Sequence, residues 1–227
     1  MTDDGAPVGR RIVLGLLAVG ATGVLTGHRV QNALARALAP LENRDPTGLL
    51  SLLPLGAAFR YYSVTGSVPR RGRDDYRLTV SGLVARTTEY TIADLEALPR
   101  TDLVRDFQCV TGWRVPEVPW SGVALSVLLD RANPMPTATA VRFRSFDGTY
   151  TESLTMEQAR RADVIVALRM LDAPVTHDHG GPVRMYAAPM YGYKSTKWLE
   201  AIEVTDRAEP GYWERRGYDI DGYIEQS

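Results

Sequence analysis

The sequence predicts an α+β fold of mixed sheets and short helices, and three observations carry that reading. Segments that alternate apolar and polar residues with the period of a strand recur between Tyr76 and Thr205. Asp147-Gly148 falls between two of them, a strong hairpin signal. The helical segments are short and separately capped, and they do not alternate with strands in the regular manner of a doubly wound fold.

In chain order, Tyr76 to Val84 reads as a strand interrupted at Ser81-Gly82. Thr91 caps a short helix through Leu98, which Pro99 ends. Leu103, Arg105, Phe107 and Cys109 alternate with Val104, Asp106 and Gln108 as a strand that Gly112 breaks, so Cys109 is expected at a strand end. Ser121 is a candidate cap for a helix from Val123 to Ala132, whose Val123, Val127 and Leu128-Leu129 fit one buried face. Val141–Phe146 and Thr149–Leu154 flank the hairpin turn, and Thr155 with Gln158 forms a capping box that opens another helix. The apolar run Val164–Leu171 reads as a buried strand turned by Ala173-Pro174, and Val183–Ala187 and Leu199–Thr205 read as two more. No internal repeat or low-complexity tract interrupts this pattern.

The 227 residues are 44% hydrophobic and 23% charged, with a formal net charge of −1 and no basic block. Phosphate-backbone binding needs concentrated Lys and Arg, which argues against a nucleic-acid partner. Without a Cys-x-x-Cys pair there is no ligand set for structural zinc or attached c-type haem.

Arg10-Arg11 stand immediately before Ile12–Thr26, an uncharged stretch rich in Leu, Val, Ala and Gly. As a helix it covers roughly 22 Å, short of a hydrocarbon core of about 30 Å, so it reads as a signal h-region rather than a comfortable span. The adjacent arginines suggest the twin-arginine route, which exports folded proteins. Residues 1–39 are therefore expected to be a twin-arginine-like signal or a retained N-terminal membrane anchor, with Ala37-Leu38-Ala39 as a small-x-small cleavage pattern. A helix-capable run from His28 to Leu41 leads into a linker, 40–58, marked by Pro40, Pro46, Gly48 and Pro54, and the folded domain is expected over 59–227.

Cys109 is the only cysteine, so it is either inert packing or chemistry. Its surroundings read Phe107-Gln108-Cys109-Val110-Thr111-Gly112-Trp113, followed by Val118-Pro119-Trp120-Ser121-Gly122-Val123. Further on come Gly180-Gly181-Pro182-Val183-Arg184 and Tyr191-Gly192-Tyr193-Lys194-Ser195-Thr196-Lys197-Trp198, where glycines allow close backbone approach and cations and hydroxyls suit a phosphate. Over about residues 55 to 220 this ordered pair of motifs resembles the molybdopterin-binding domain of the sulfite oxidase superfamily. The nearest branch is the bacterial periplasmic reductases that include the catalytic subunit of methionine sulfoxide reductase.

The resemblance implies a sulfite-oxidase-type fold holding one molybdenum-molybdopterin per chain, with Cys109 as the metal ligand and catalytic residue. It further implies cofactor binding by Tyr62, Ser63, Ser145, His179, Arg184, Ser195, Thr196 and Lys197, and a pocket that Trp113, Arg114 and Tyr193 help to line. Oxygen-atom transfer follows, expected as reduction of a sulfoxide or related S- or N-oxide outside the cytoplasm, with electrons from a membrane haem or flavin partner. A monomer is expected, because no room remains before Ser227 for the C-terminal dimerisation domain of sulfite oxidases. Other readings stay open on the residues alone. These are sulfite oxidation on the same fold, a hydrolase with Cys109 as nucleophile and a histidine as base, a cofactor-free binding module, and a zinc or iron site at His177-Asp178-His179.

Overall fold

The computed structural model describes Phe59 and residues 62–224. The expected leader, 1–39, and linker, 40–58, lie outside the described residues. In chain order the strands are β1 Leu78–Gly82, β2 Thr88–Tyr90, β3 Arg100–Gln108, β4 Arg114–Ala124, β5 Ala140–Ser145, β6 Thr151–Thr155, β7 Val164–Met170, β8 Ala173–Pro174, β9 Arg184–Ala187 and β10 Leu199–Thr205. The helices are α1 Ile92–Glu96, α2 Leu125–Ala132 and α3 Met156–Ala159. One sheet has the order β2-β1-β10-β5-β6, and the other β3-β4-β7-β8 with β9 also paired to β7. The first sheet is mixed, because β1 runs parallel to β10 with Val80 opposite Ile202. Its other pairs are antiparallel, as are all those of the second sheet.

The alternation in the sequence sets which face of each strand is buried. Leu78, Val80, Phe143, Ile202 and Val204 of the first sheet pack with Leu95 of α1, Leu125, Leu128 and Leu129 of α2, and Val164, Val166 and Met185 of the second sheet. The other face of β7 carries Ile165 and Ala167 into a second cluster with Phe107, Val115, Val118, Trp120 and Tyr186. This second core abuts the functional cavity. Both caps form as expected, Thr155 in the expected capping box and Thr91 in a second one: Thr91 and Thr155 accept from the backbone N–H of Asp94 and Gln158, whose side chains accept from the caps.

Three expectations need correction. Ser121 is no cap: it and Val123 lie in β4, and α2 begins at Leu125 after Ala124, which makes no side-chain cap. Pairing of Trp120–Ala124 with β7 outweighs the helical pattern there, as suits a β-branched Val123. Ala173-Pro174 is a short edge strand and not a turn. The chain reverses one step earlier, at Leu171 and Asp172, with φ of 54° and 57°, and Pro174 is tolerated because it lies on an edge. Finally, β3 starts at Arg100, and its partner over Arg114–Ala124 went unrecognised because Pro116 and Pro119 mask the strand pattern.

Candidate active site

The β3–β4 hairpin presents Cys109 just past the last paired residue, Gln108, which stands opposite Arg114. The Cys109 N–H donates to the Trp113 carbonyl (2.9 Å), and the Gly112 N–H donates to the Cys109 carbonyl (3.0 Å). Gly112 has φ of 97°, a conformation that favours glycine, so the break read in the sequence is the turn that sets the cysteine's position. Below the turn, Pro116 and Glu117 of β4 face the single residue Asp106 in a bulge. Asp106 fastens the bulge: one carboxylate oxygen accepts from the Glu117 N–H (2.7 Å) and the other pairs with Arg114. The Tyr186 hydroxyl donates to the Asp106 carbonyl (2.7 Å). Cys109 is half-buried, with Sγ 3.2 Å from the Thr111 hydroxyl.

Cys109 lines a cavity of about 570 Å³ together with His179, Arg184, Ser195 and Lys197. Its walls are aromatic: Phe59, Phe107, Trp113, Tyr150, Tyr193, Trp198, Trp213 and Tyr218, with the exposed Tyr62 also lining it. Phe59 ties them together, packing at 5.2 Å from Phe107 and edge-on to Trp113 and His179.

The cavity's charge is unusual. Arg184 is 3% exposed and donates only to backbone carbonyls, those of His179 (2.6 Å), Ser195 (3.2 Å) and Met185 (3.3 Å). Its guanidinium lies 5.5 Å from the centres of the Phe107 and Trp120 rings. Burial brings its pKa down to about 10. Lys197 donates to the Tyr62 carbonyl and sits 4.3 Å from the centre of the Trp198 ring. Burial, with Arg184 adding to it and Asp147 opposing, brings Lys197 down to about 7. The same two effects, burial first and Arg184 next, lower the pKa of His179. Neither Arg184 nor Lys197 has a carboxylate ion-pair partner among the described residues. Buried charge is costly unless paired, so two desolvated cations on one cavity suit a doubly charged anion. Gly180 shapes this end, since φ is 96° and a Cβ there would lie 2.5 Å from Lys197 Cγ. Cations at one end and a lone thiol in the same cavity fit a group that carries both a phosphate and a thiophilic metal.

The structure brings together Cys109, Tyr62, His179, Arg184, Ser195 and Lys197 of the expected set, with Trp113 and Tyr193 beside them. Ser63, Ser145, Thr196 and Arg114 do not line the cavity. Ser63 bonds to Thr65, while the Ser145 hydroxyl accepts from the Asp147 N–H and shapes the β5–β6 turn. Thr196 is fully buried, its hydroxyl without a partner, and Arg114 serves the bulge at Asp106. Even Ser195 spends its hydroxyl structurally, accepting from the Ala187 N–H (3.0 Å). His177 and His179 do not converge on a shared ligand position: His177 meets the backbone of Arg71, and His179 Nδ1 meets the Thr176 hydroxyl.

Sequence reasoning missed Asp147, Tyr150, Trp213 and Tyr218. In the sequence Asp147 carries only the signature of a turn, because the cationic cleft it joins is built from Arg184 and Lys197, far along the chain. The cue for Trp213 and Tyr218 was their density in a polar tail without periodicity.

Residues 65–213 match the family model described as oxidoreductase molybdopterin binding domain. The uncharacterized oxidoreductase YuiH of Bacillus subtilis is 32% identical over 159 residues, covering 70% of this chain and 80% of that protein. A putative protein-methionine-sulfoxide reductase subunit, YedZ1 of Azospira oryzae, is 31% identical over 180 residues, 77% of this chain and 68% of the relative. Among solved structures, the sulfane dehydrogenase SoxCD of Paracoccus pantotrophus superposes with a TM-score of 0.57 at 23% identity, over 63% of this chain and 41% of that one. That likeness shows the sulfite-oxidase-type fold expected from the sequence.

Proposed function

This chain belongs to the oxidoreductase molybdopterin-binding domain family, and we propose that it reduces an organic sulfoxide or related S- or N-oxide by oxygen-atom transfer. When bound, the molybdenum cofactor supplies the two-electron chemistry that converts the oxide, two electrons and two protons into the deoxygenated product and water. This chain's residues bind and orient. Cys109, at the hairpin tip, is the thiolate ligand, and metal coordination keeps it deprotonated. Arg184 and Lys197 hold the phosphate, with the backbone around Gly180 allowing close approach. The aromatic walls exclude water and receive the organic groups of the substrate.

The observation that carries this reading is the pair of desolvated cations on the cavity that holds Cys109. It also favours an organic oxide over sulfite. With Arg184 and Lys197 committed to the phosphate, the cavity lining has no further Lys or Arg among the described residues for a free inorganic anion, and its remaining walls are largely aromatic. Electrons come from a membrane haem or flavin partner. The protein works outside the cytoplasm, its first 39 residues acting as signal or anchor and residues 40–58 as linker.

The test is paired, on one preparation each of the wild type and Cys109→Ser. Molybdenum and pterin content are measured alongside viologen-driven reduction of a sulfoxide and an N-oxide, and ferricyanide-linked oxidation of sulfite. The wild type should contain molybdenum and pterin and reduce organic oxides. The serine variant should keep much of its cofactor, lose turnover and lose the thiolate signature of its molybdenum(V) resonance. Wild-type turnover in Cys109→Ser removes the cysteine from the mechanism, and sulfite oxidation outpacing oxide reduction reverses the assigned direction.

A further inference from the structure

The C-terminal residues 211–224 run over the cavity without forming a strand of either sheet, and they deliver Trp213 and Tyr218 to its lining. Aromatic contacts hold part of the strap, Tyr212 stacking on Tyr150 and Tyr218 meeting Tyr193 edge-on, whereas Ile220 and Tyr223 are exposed. Around Glu214 and Ile220 its fastening is polar. Lys194, in the 3-10 turn Gly192–Lys194, has a fully buried side chain. Its ammonium uses all three donors: to Glu152 of β6 (2.7 Å), to Glu214 of the strap (2.8 Å) and to the strap's Ile220 carbonyl (2.8 Å). The strap also packs on the lysine stem, since a Cβ at Gly222 would lie 2.7 Å from Lys194 Cγ.

We propose that Lys194 is a positioning residue, which latches the strap through Glu152, Glu214 and Ile220 and so holds Trp213 and Tyr218 as the roof of the site. It acts from behind the cavity wall. Its neighbour Tyr193 lines the cavity, accepts from the Tyr150 hydroxyl (2.5 Å) through its carbonyl, and donates its own hydroxyl to the strap's Asp219 carbonyl (2.7 Å). The remaining oxygens of Glu152 and Glu214, both Oε2, are buried with no hydrogen-bond partner among the described residues. One proton between the two carboxyls satisfies both and leaves a single negative charge opposite the ammonium. Burial raises the pKa of Glu152 well above its ordinary value, with Lys194 opposing the rise and Glu214 adding to it, in keeping with that shared proton. The buried cluster of Lys194, Glu152 and Glu214 then carries no net charge.

The functional consequence rests on the cavity being the oxide site, whereas the latch itself is read by hydrogen exchange whatever the activity. In Lys194→Met, amides of residues 211–224 should exchange at least about a hundredfold faster, with β7 unchanged, because removing one member of a buried ion cluster destabilises what it joins. The half-saturating concentration of organic oxide should rise by about tenfold or more while kcat stays within about threefold, the pattern of lost uniform binding. Glu152→Gln retains an acceptor for Lys194 and a donor for Glu214, and should exchange like the wild type.

Unchanged strap exchange in Lys194→Met, equal acceleration of β7, or acceleration in Glu152→Gln matching Lys194→Met would overturn the latch. If Lys194→Met does not fold, the wild type decides. The amides of Tyr212 and Ile224, bonded to the Thr151 and Pro189 carbonyls, should exchange together in one opening below the protection of β7. Loss of Ile224 protection well before Tyr212 would show an end that frays without a latch. Silence of every oxide assay would count against the proposed function and leave the exchange result standing.

Discussion

Replacing Lys197 by Met tests the anion end of the site, because it removes the charge and keeps most of the stem. A charge-assisted contact is worth about 1.5 to 3 kcal/mol, so cofactor affinity should fall by roughly 10- to 150-fold. The structure adds a pH signature. Burial and Arg184 bring Lys197 down to about 7, so the ammonium is lost as pH rises through that value. Binding a dianion above it requires uptake of a proton, which costs a factor of about ten per pH unit. A phosphate monoester is itself a dianion above about pH 6, so its own titration does not obscure the effect. Wild-type affinity should therefore be roughly 25-fold weaker at about pH 8.5 than at about pH 6.5. In Lys197→Met that slope should vanish. The assay is pterin retained after gel filtration at each pH, read as the fluorescent oxidised product. A flat wild-type profile, or an equal slope in the variant, would refute the reasoning. The anion-free protein should move the other way: between about 7 and 10.5 the unfolded chain holds a lysine proton that the folded one has released, so this group's contribution to stability rises with pH.

Ser195→Ala should destabilise the protein by about 1 to 3 kcal/mol in urea unfolding, because the buried Ala187 N–H loses its acceptor. An unchanged midpoint would mean that this N–H finds another partner. Replacing Arg10 and Arg11 together by Lys should leave folded protein in the cytoplasm, as cell fractionation would report, and normal export would end the twin-arginine reading of residues 1–39.

What could be read from sequence divides by the range of the interaction responsible. The cap at Thr91, the capping box at Thr155 and the Asp147-Gly148 hairpin depend on residues within a few positions of each other, and they are legible. The helix start at Leu125 is not, because Val123 and Ala124 take their conformation from Val166 and Ile165, some forty positions away. The site divides likewise. Cys109, Arg184 and Lys197 stood out through their resemblance to a family pattern and through their chemistry. Ser145 and Thr196 share that pattern, yet the cavity reaches neither. Trp213 and Tyr218 come to the cavity through a strap fastened by Lys194, and nothing in a one-dimensional pattern links Lys194 to Glu152 or Ile220.

The parallel pairing of β1 with β10 has a consequence for how the chain is made. These neighbours inside one sheet are the first and last strands of the fold, and Val80 meets Ile202 only after nearly the whole domain has been synthesised. Closing so distant a pair is entropically slow. A nascent chain that ends before Leu199 leaves β1 and β5 as open edges on either side of the missing strand, each able to pair with another molecule. Premature termination between β9 and β10 should therefore yield aggregates, not a smaller working domain, and a chaperone acting on this protein would need to shelter β1 until β10 arrives.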